Sequence, residues 1–328
     1  MHSWRDQFML WLAIALVSLV FMPLIPGLFL AMLPAFHLFV WQVLWVDSQW
    51  MQALLTTVLS ASIGTTLAFL FAITIAMQLY PGRRWLQLRQ RLLILLAIPH
   101  AAFAIGFFFL IAPSGWLSRL MALLSGWITP PDWISVQDSY GLSLALTLAI
   151  KESWFLLWVL FTVLSEQEIT KQMTIAQTLG YSRSQVWRTI LLPQLLPRMG
   201  WPLAAVLAYG LSVVDMAIII GPTNPPTFAV LIWQWLTNPD EGLQAQGSAA
   251  SLVLLALLLM IVFFVRMIWR QCLLFRRYPM GERNSEHNSR FPWLHWLFFG
   301  VGYAVIFLLL LWSLASGWFF PAIWPETI

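Results

Sequence analysis

Lys151, Glu152 and Asp215 are the residues best placed to do chemistry. All three fall inside long apolar runs, where Lys or Asp at a helix centre costs about 2.5–3.5 kcal/mol on insertion scales. Groups kept there face a bundle interior or a watery path, and what is open to them is ion pairing, proton transfer or contact with a charged solute. Lys151 and Glu152 are sequence neighbours, pointing about 100° apart on a helix, so each needs another partner. One expectation is a Lys151–Asp215 ion pair that fixes helix packing; the other is that the three residues line a solute path. His100, just after Pro99, reads as a hydrogen-bonded residue at a kink, with a proton relay as the alternative. Catalytic patterns are missing from the sequence. The two lysines, Lys151 and Lys171, sit in no phosphate-binding G-x-x-x-x-G-K-[ST] run, and no H-E-x-x-H pair occurs. The single cysteine, Cys272, excludes a disulfide framework and makes no Cys-based metal site. The chain is therefore expected to hold no metal or cofactor and to be no enzyme.

The elements that must position these residues follow from composition. Of 328 residues, 60% are hydrophobic and 9% charged, with mean hydropathy +0.80. Ordinary soluble domains are about 25% charged. Such a chain cannot cover a water-facing surface, which excludes a soluble enzyme, a disordered protein and a nucleic-acid partner. At about 20 residues per span, it is expected to be an all-α integral membrane protein with about seven crossings. Apolar runs at 8–33, 51–79, 92–112, 141–164, 200–221, 247–268 and 292–320 supply them. The first run is too long for a signal peptide and contains Pro23 and Pro26, so it reads as a retained helix.

Segments 1–7, 80–91, 165–199 and 266–291 carry 15 of the 17 Lys and Arg residues. The positive-inside rule then places these segments and the N-terminus in the cytoplasm. Many of the 21 tryptophans, among them Trp41, Trp45, Trp50, Trp85, Trp116, Trp133, Trp293, Trp318 and Trp324, fall near span ends, as an interfacial belt requires.

One loop has its own pattern. Ser165-Glu166-Gln167-Glu168 and Ser182-Arg183-Ser184-Gln185 each read as a capping box. Ile169, Met173, Ala176 and Leu179 make an apolar stripe, Gly180 can end that helix in a left-handed conformation, and Val186, Ile190 and Leu191 follow. Pro193 and Pro197 are expected to interrupt or redirect the chain. Two short amphipathic helices around a Gly corner could lie on the membrane surface or dock into a groove of a soluble partner.

The run Thr174 to Gly180, nine residues, and then Ile190-Leu191-Leu192-Pro193 resembles the loop motif of binding-protein-dependent ABC importer permeases, E-A-A, three residues, G, nine residues, I-x-L-P. Ala176, Gly180, Ile190, Leu192 and Pro193 match in register. Thr174 replaces the motif's Glu and Ile175 its first Ala. The stretches Ser212 to Pro222 and Pro225-Pro226-Thr227 are similar to permeases of the iron(III), thiamine and polyamine type. The resemblance implies a five-helix permease core at 51–268 with a coupling-helix loop at 165–199. It makes 1–50 an extra N-terminal helix with an external loop and 269–291 a cytoplasmic linker. A cytosolic ABC ATPase dimer would carry ATP and Mg and seat the loop. A periplasmic or extracellular binding protein would deliver the solute, and a second permease half would complete the path, all in a bacterial inner membrane. A thiamine-like solute is the first choice, ahead of iron(III) or a polyamine.

Residues 292–328 end, like the first span, with Pro near an aromatic residue. In the fused permeases of this type two halves share one chain, so this last span is expected to begin a second half absent here. The competing class is an ion- or proton-coupled secondary transporter using Lys151, Glu152 and Asp215, which would leave the amphipathic loop unexplained.

Overall fold

The computed structural model describes residues 4–274 and 293–326. Every named element is helical: α1 (Trp4–Phe21), α2 (Leu24–Met32), α3 (Leu38–Val46), α4 (Trp50–Leu79), α5 (Arg83–Leu96), α6 (His100–Ile111), α7 (Trp116–Ser125), α8 (Leu142–Leu164), α9 (Gln167–Thr178), α10 (Arg183–Val186), α11 (Leu192–Arg198), α12 (Gly200–Ser212), α13 (Asp215–Ile220), α14 (Phe228–Leu236), α15 (Glu241–Leu274) and α16 (Leu294–Leu314). Among the described residues six stretches are long and apolar enough to cross a membrane. The Arg183–Arg198 and Gly200–Ser212 pair, bent by 57°, would be a seventh.

The centre of the bundle is α4 against α8. Ala61, Gly64, Ala68, Ala72 and Ala76 recur every three or four residues, so one side of α4 carries almost no side-chain bulk. In lipid, where no hydrophobic force draws helices together, such a stripe lets backbones approach and gain van der Waals contact. A Cβ on Gly64 would already stand 3.1 Å from the Ala145 carbonyl oxygen. The hydroxyls of Thr56, Thr57 and Ser60 return to carbonyls of their own helix. Thr57 also accepts from the Phe228 amide at 2.7 Å, tying α14 to α4.

Two expected spans are broken. The run 92–112 divides at Ala97–Pro99: Pro99 has no amide hydrogen and pushes the residue before it out of helical conformation, so α5 ends and α6 starts afresh at His100. That crossing runs on through a turn into α7. The run 200–221 divides at Val213, which is extended (φ −67°, ψ 127°), leaving α13 as a separate short helix headed by Asp215.

The ends of the chain behave differently. The most apolar stretch of the first span has no buried residue. The last helix, α16, is packed into the main core through Phe298, Phe299, Val305 and Leu308. Arg119 of α7 holds the chain that follows α16, donating to the carbonyls of Trp318, Phe319 and Ala322 and lying over the Trp318 ring. The expected linker 269–291 lies outside the described residues from 275 onward. Of the tryptophans read as a belt, Trp45, Trp133, Trp293 and Trp324 are exposed, whereas Trp50 and Trp85 are buried packing residues.

Candidate functional site

Two groups of residues make up the site; α8 leads into the first and carries part of the second. The first is the hairpin 165–199. Its α9 turns at Gly180, whose φ of 88° is the left-handed value expected. The Tyr181 amide bonds the Ala176 carbonyl and the Gly180 amide the Gln177 carbonyl, the paired closure of a Schellman turn. Ser182 caps α10, accepting from the Gln185 amide, as the sequence indicates. Ser165 does not cap α9: its hydroxyl donates back to the Phe161 carbonyl, and Glu166 takes the cap position without a side-chain bond. The reason is that α8 runs on to Leu164, so Ser165 is still closing the helix before the turn.

Pro193 and Pro197 do not stop the chain. A π-helical turn, Trp187–Leu191, joins α10 to α11, and helical structure persists to Arg198. Pro193 sits in the first turn of α11, where its missing amide hydrogen does little harm. The redirection comes later, at Met199.

The buried side of the hairpin is Ile169, Met173, Ala176, Val186, Trp187, Leu191 and Leu195, all part of the main core. Leu179, counted in that stripe from its spacing, is instead 55% exposed, and Ile175 is 59% exposed. With Thr174 and Thr178 they leave a partly apolar outer face on α9. Of the motif positions, Ala176 is buried, Gly180 makes the corner, and Ile190, Leu192 and Pro193 are half-buried in the second arm. The hairpin is fastened to the end of α4. Arg183 donates to the Gln78 and Tyr80 carbonyls at 3.0 and 2.6 Å, and the Tyr80 hydroxyl meets Thr170 at 2.8 Å. Glu166 and Arg198 close its two ends with a 2.7 Å ion pair.

The second group gathers at the two helix breaks. Lys151 is buried and donates to the Leu95 carbonyl at 3.1 Å and the Ile98 carbonyl at 2.6 Å. The residue four beyond Leu95 is Pro99, so that carbonyl has lost its helical donor, and the lysine amine supplies the replacement. Glu152, one residue on, meets His100 Nε2 at 3.0 Å. The His100 ring lies against Tyr209 at 4.6 Å, and the Tyr209 hydroxyl donates to Asp215 at 3.4 Å. The expected Lys151–Asp215 pair does not form, because each has a nearer partner created by a different break. Sequence reasoning missed Tyr209 altogether and the Glu152–His100 pairing. The signal available was Pro99, which predicts unpaired carbonyls nearby. Among the described residues no group of three His, Cys, Asp or Glu could hold a metal.

The chain matches no protein-family model. Over 263 residues, 80% of its length, it is 43% identical to the inner membrane ABC transporter permease protein YnjC of Escherichia coli strain K12, and it spans 49% of that relative. A solved structure, a bacterial alginate ABC transporter in complex with alginate pentasaccharide-bound periplasmic protein, contains a chain with TM-score 0.64. The match covers 83% of this chain and 99% of that one at 17% identity. At that identity the likeness shows the fold, which this chain shares with a chain of that ABC transporter. With six or seven stretches able to cross a membrane among its described residues, the chain is a multi-pass membrane protein. The chain spans about half the length of the curated relative it matches, so solute, partners and transport cycle are taken up below as proposals.

Proposed function

We propose that the chain is one transmembrane half of an ATP-driven importer that moves a small solute by alternating access. The observation that carries this is the hairpin: a rigid, doubly anchored element presenting Thr174, Ile175 and Leu179 outward, in a chain 43% identical to a named ABC permease. In this reading a separate cytosolic ATPase dimer binds ATP and Mg and receives the α9 face in a groove. Its closure moves the hairpin, and the anchors Arg183–Tyr80 and Glu166–Arg198 pass that motion to α4 and α12. The hairpin and the N-terminus are cytoplasmic, as the distribution of 15 of 17 cationic residues favours. An external binding protein delivers the solute, and a second permease half supplies the other wall of the path. The breaks at 97–99 and 213–214, with His100, Glu152, Tyr209 and Asp215, line that path, since irregular backbone at membrane depth is tolerated where it faces protein or water. Lys151 supports the break from behind.

The test is reconstitution with the cognate ATPase and binding protein in proteoliposomes. Solute uptake should require ATP and fall to background in Ile175→Asp/Leu179→Asp while the variant still inserts. Uptake that persists without ATP and collapses with the proton gradient would overturn the reading in favour of a secondary transporter.

A further inference from the structure

In the sequence the basic run 80–91 marks orientation. In the structure it builds a cleft. Arg84, Gln87, Leu88 and Arg91 lie on one face of α5 at helical spacing, opposite His295, Trp296 and Phe299 at the start of α16. The cleft has a volume of about 60 Å³, which at about 10–15 Å³ per water is room for several waters or one tetrahedral oxyanion. The Arg91 guanidinium lies over the Trp296 ring at 5.5 Å. No carboxylate appears among the described residues that line it, and neither Arg84 nor Arg91 has an ion-pair partner among the described residues. The cleft sits at the end of α4, beside Leu79, where a span leaves the hydrocarbon, and Leu79, Leu88 and Phe299 give it an apolar floor.

We propose that this cleft binds the phosphate of an anionic phospholipid, with Arg84 and Arg91 on the phosphate oxygens and the acyl chains running down the groove between α5 and α16. The two guanidiniums select the negative headgroup. The interfacial depth and apolar floor select a lipid over a soluble phosphate. The ligand would also clamp α16 to α5, close to where the hairpin meets the end of α4.

The experiment is native mass spectrometry of the full-length chain, released from micelles with defined phosphatidylglycerol or phosphatidylcholine. The wild type should retain one phosphatidylglycerol preferentially. Arg84→Gln/Arg91→Gln should lose that preference, by on the order of tenfold per arginine, whereas Arg83→Gln/Arg89→Gln, with neither substituted residue lining the cleft, should keep it. Equal thermal melting of both variants in detergent separates lost binding from lost folding; if the cleft variant melts early, Arg91→Lys, which keeps the charge, should restore retention. Equal retention of both lipids by the wild type would overturn the proposal. So would displacement of the bound lipid by millimolar inorganic phosphate, which would mark a soluble-anion site.

Discussion

Lys151 shows how a residue that looks like a transport group can be a structural one. A lysine amine takes the place of the amide hydrogen that Pro99 lacks, holding the Leu95 and Ile98 carbonyls at the break. Lys151→Met keeps the length and removes the donors. It is expected to destabilise the protein by about 1–3 kcal/mol, the cost of leaving buried acceptors unmade, read as an earlier thermal transition in detergent. Glu152→Gln should leave that transition nearly unchanged and lower uptake, because its contact is with His100 on the open side. Asp138 works the other way, outside the membrane. Burial raises its pKa, but the Ser143 hydroxyl and the Ser143 and Leu142 amides outweigh this and hold the carboxyl below its ordinary 3.8. A carboxyl depressed by folding stabilises above its unfolded value of about 3.9, and the contribution disappears as pH falls through the folded value. Asp138→Ala should therefore cost about 0.5–2 kcal/mol at neutral pH, in the range of other helix caps. The gap to wild type should close in melts taken at progressively more acid pH.

At the scale of elements, helix contacts rest on missing side chains. A Cβ on Gly302 of α16 would come within 2.5 Å of Leu95 and 2.9 Å of Trp154. Gly302→Leu should cost roughly 1–3 kcal/mol by overpacking and should expose α16 to limited proteolysis. The hairpin offers a cleaner separation of function. Arg183→Gln removes two bonds to the end of α4 without touching the outer face of α9. It should leave ATPase binding intact and weaken stimulation of ATP hydrolysis by loaded binding protein, whereas Ile175→Asp/Leu179→Asp should lose binding itself. Much of this element was legible in advance: Gly180 and the Ser182 cap are local rules, satisfied by residues within five positions of one another. Ser165 and Leu179 were not. Whether Ser165 ends one helix or starts the next depends on how far α8 extends, and which side of α9 Leu179 faces depends on the core it meets.

For the whole molecule, topology carries the next prediction. Ile134 and Ile175 are both exposed and lie in loops expected on opposite faces of the membrane. With Cys272 replaced by Ser, Ile134→Cys should react with an impermeant maleimide on spheroplasts, and Ile175→Cys only after the membrane is opened. The reverse pattern would invert the orientation drawn from the basic loops. In the proposed assembly the unburied first span and the exposed α9 face would be open to a second half and an ATPase, while α16, expected to start another unit, packs into this one.

By itself the sequence determined the all-helical membrane class, the approximate spans and the hairpin with its Gly corner. Hydropathy over 20 residues and loop charge are summed quantities that survive folding unchanged, and the Gly180 turn with its Ser182 cap is closed by near neighbours in the chain. Only the tertiary structure decided the partners of the buried polar groups. Lys151 is more than fifty residues from Leu95 and Ile98, as Glu152 is from His100, and Tyr209 enters through a different break. A buried polar atom bonds whatever its neighbours present, and those neighbours are set by how α5, α6, α8 and α12 pack, which no spacing along the chain records.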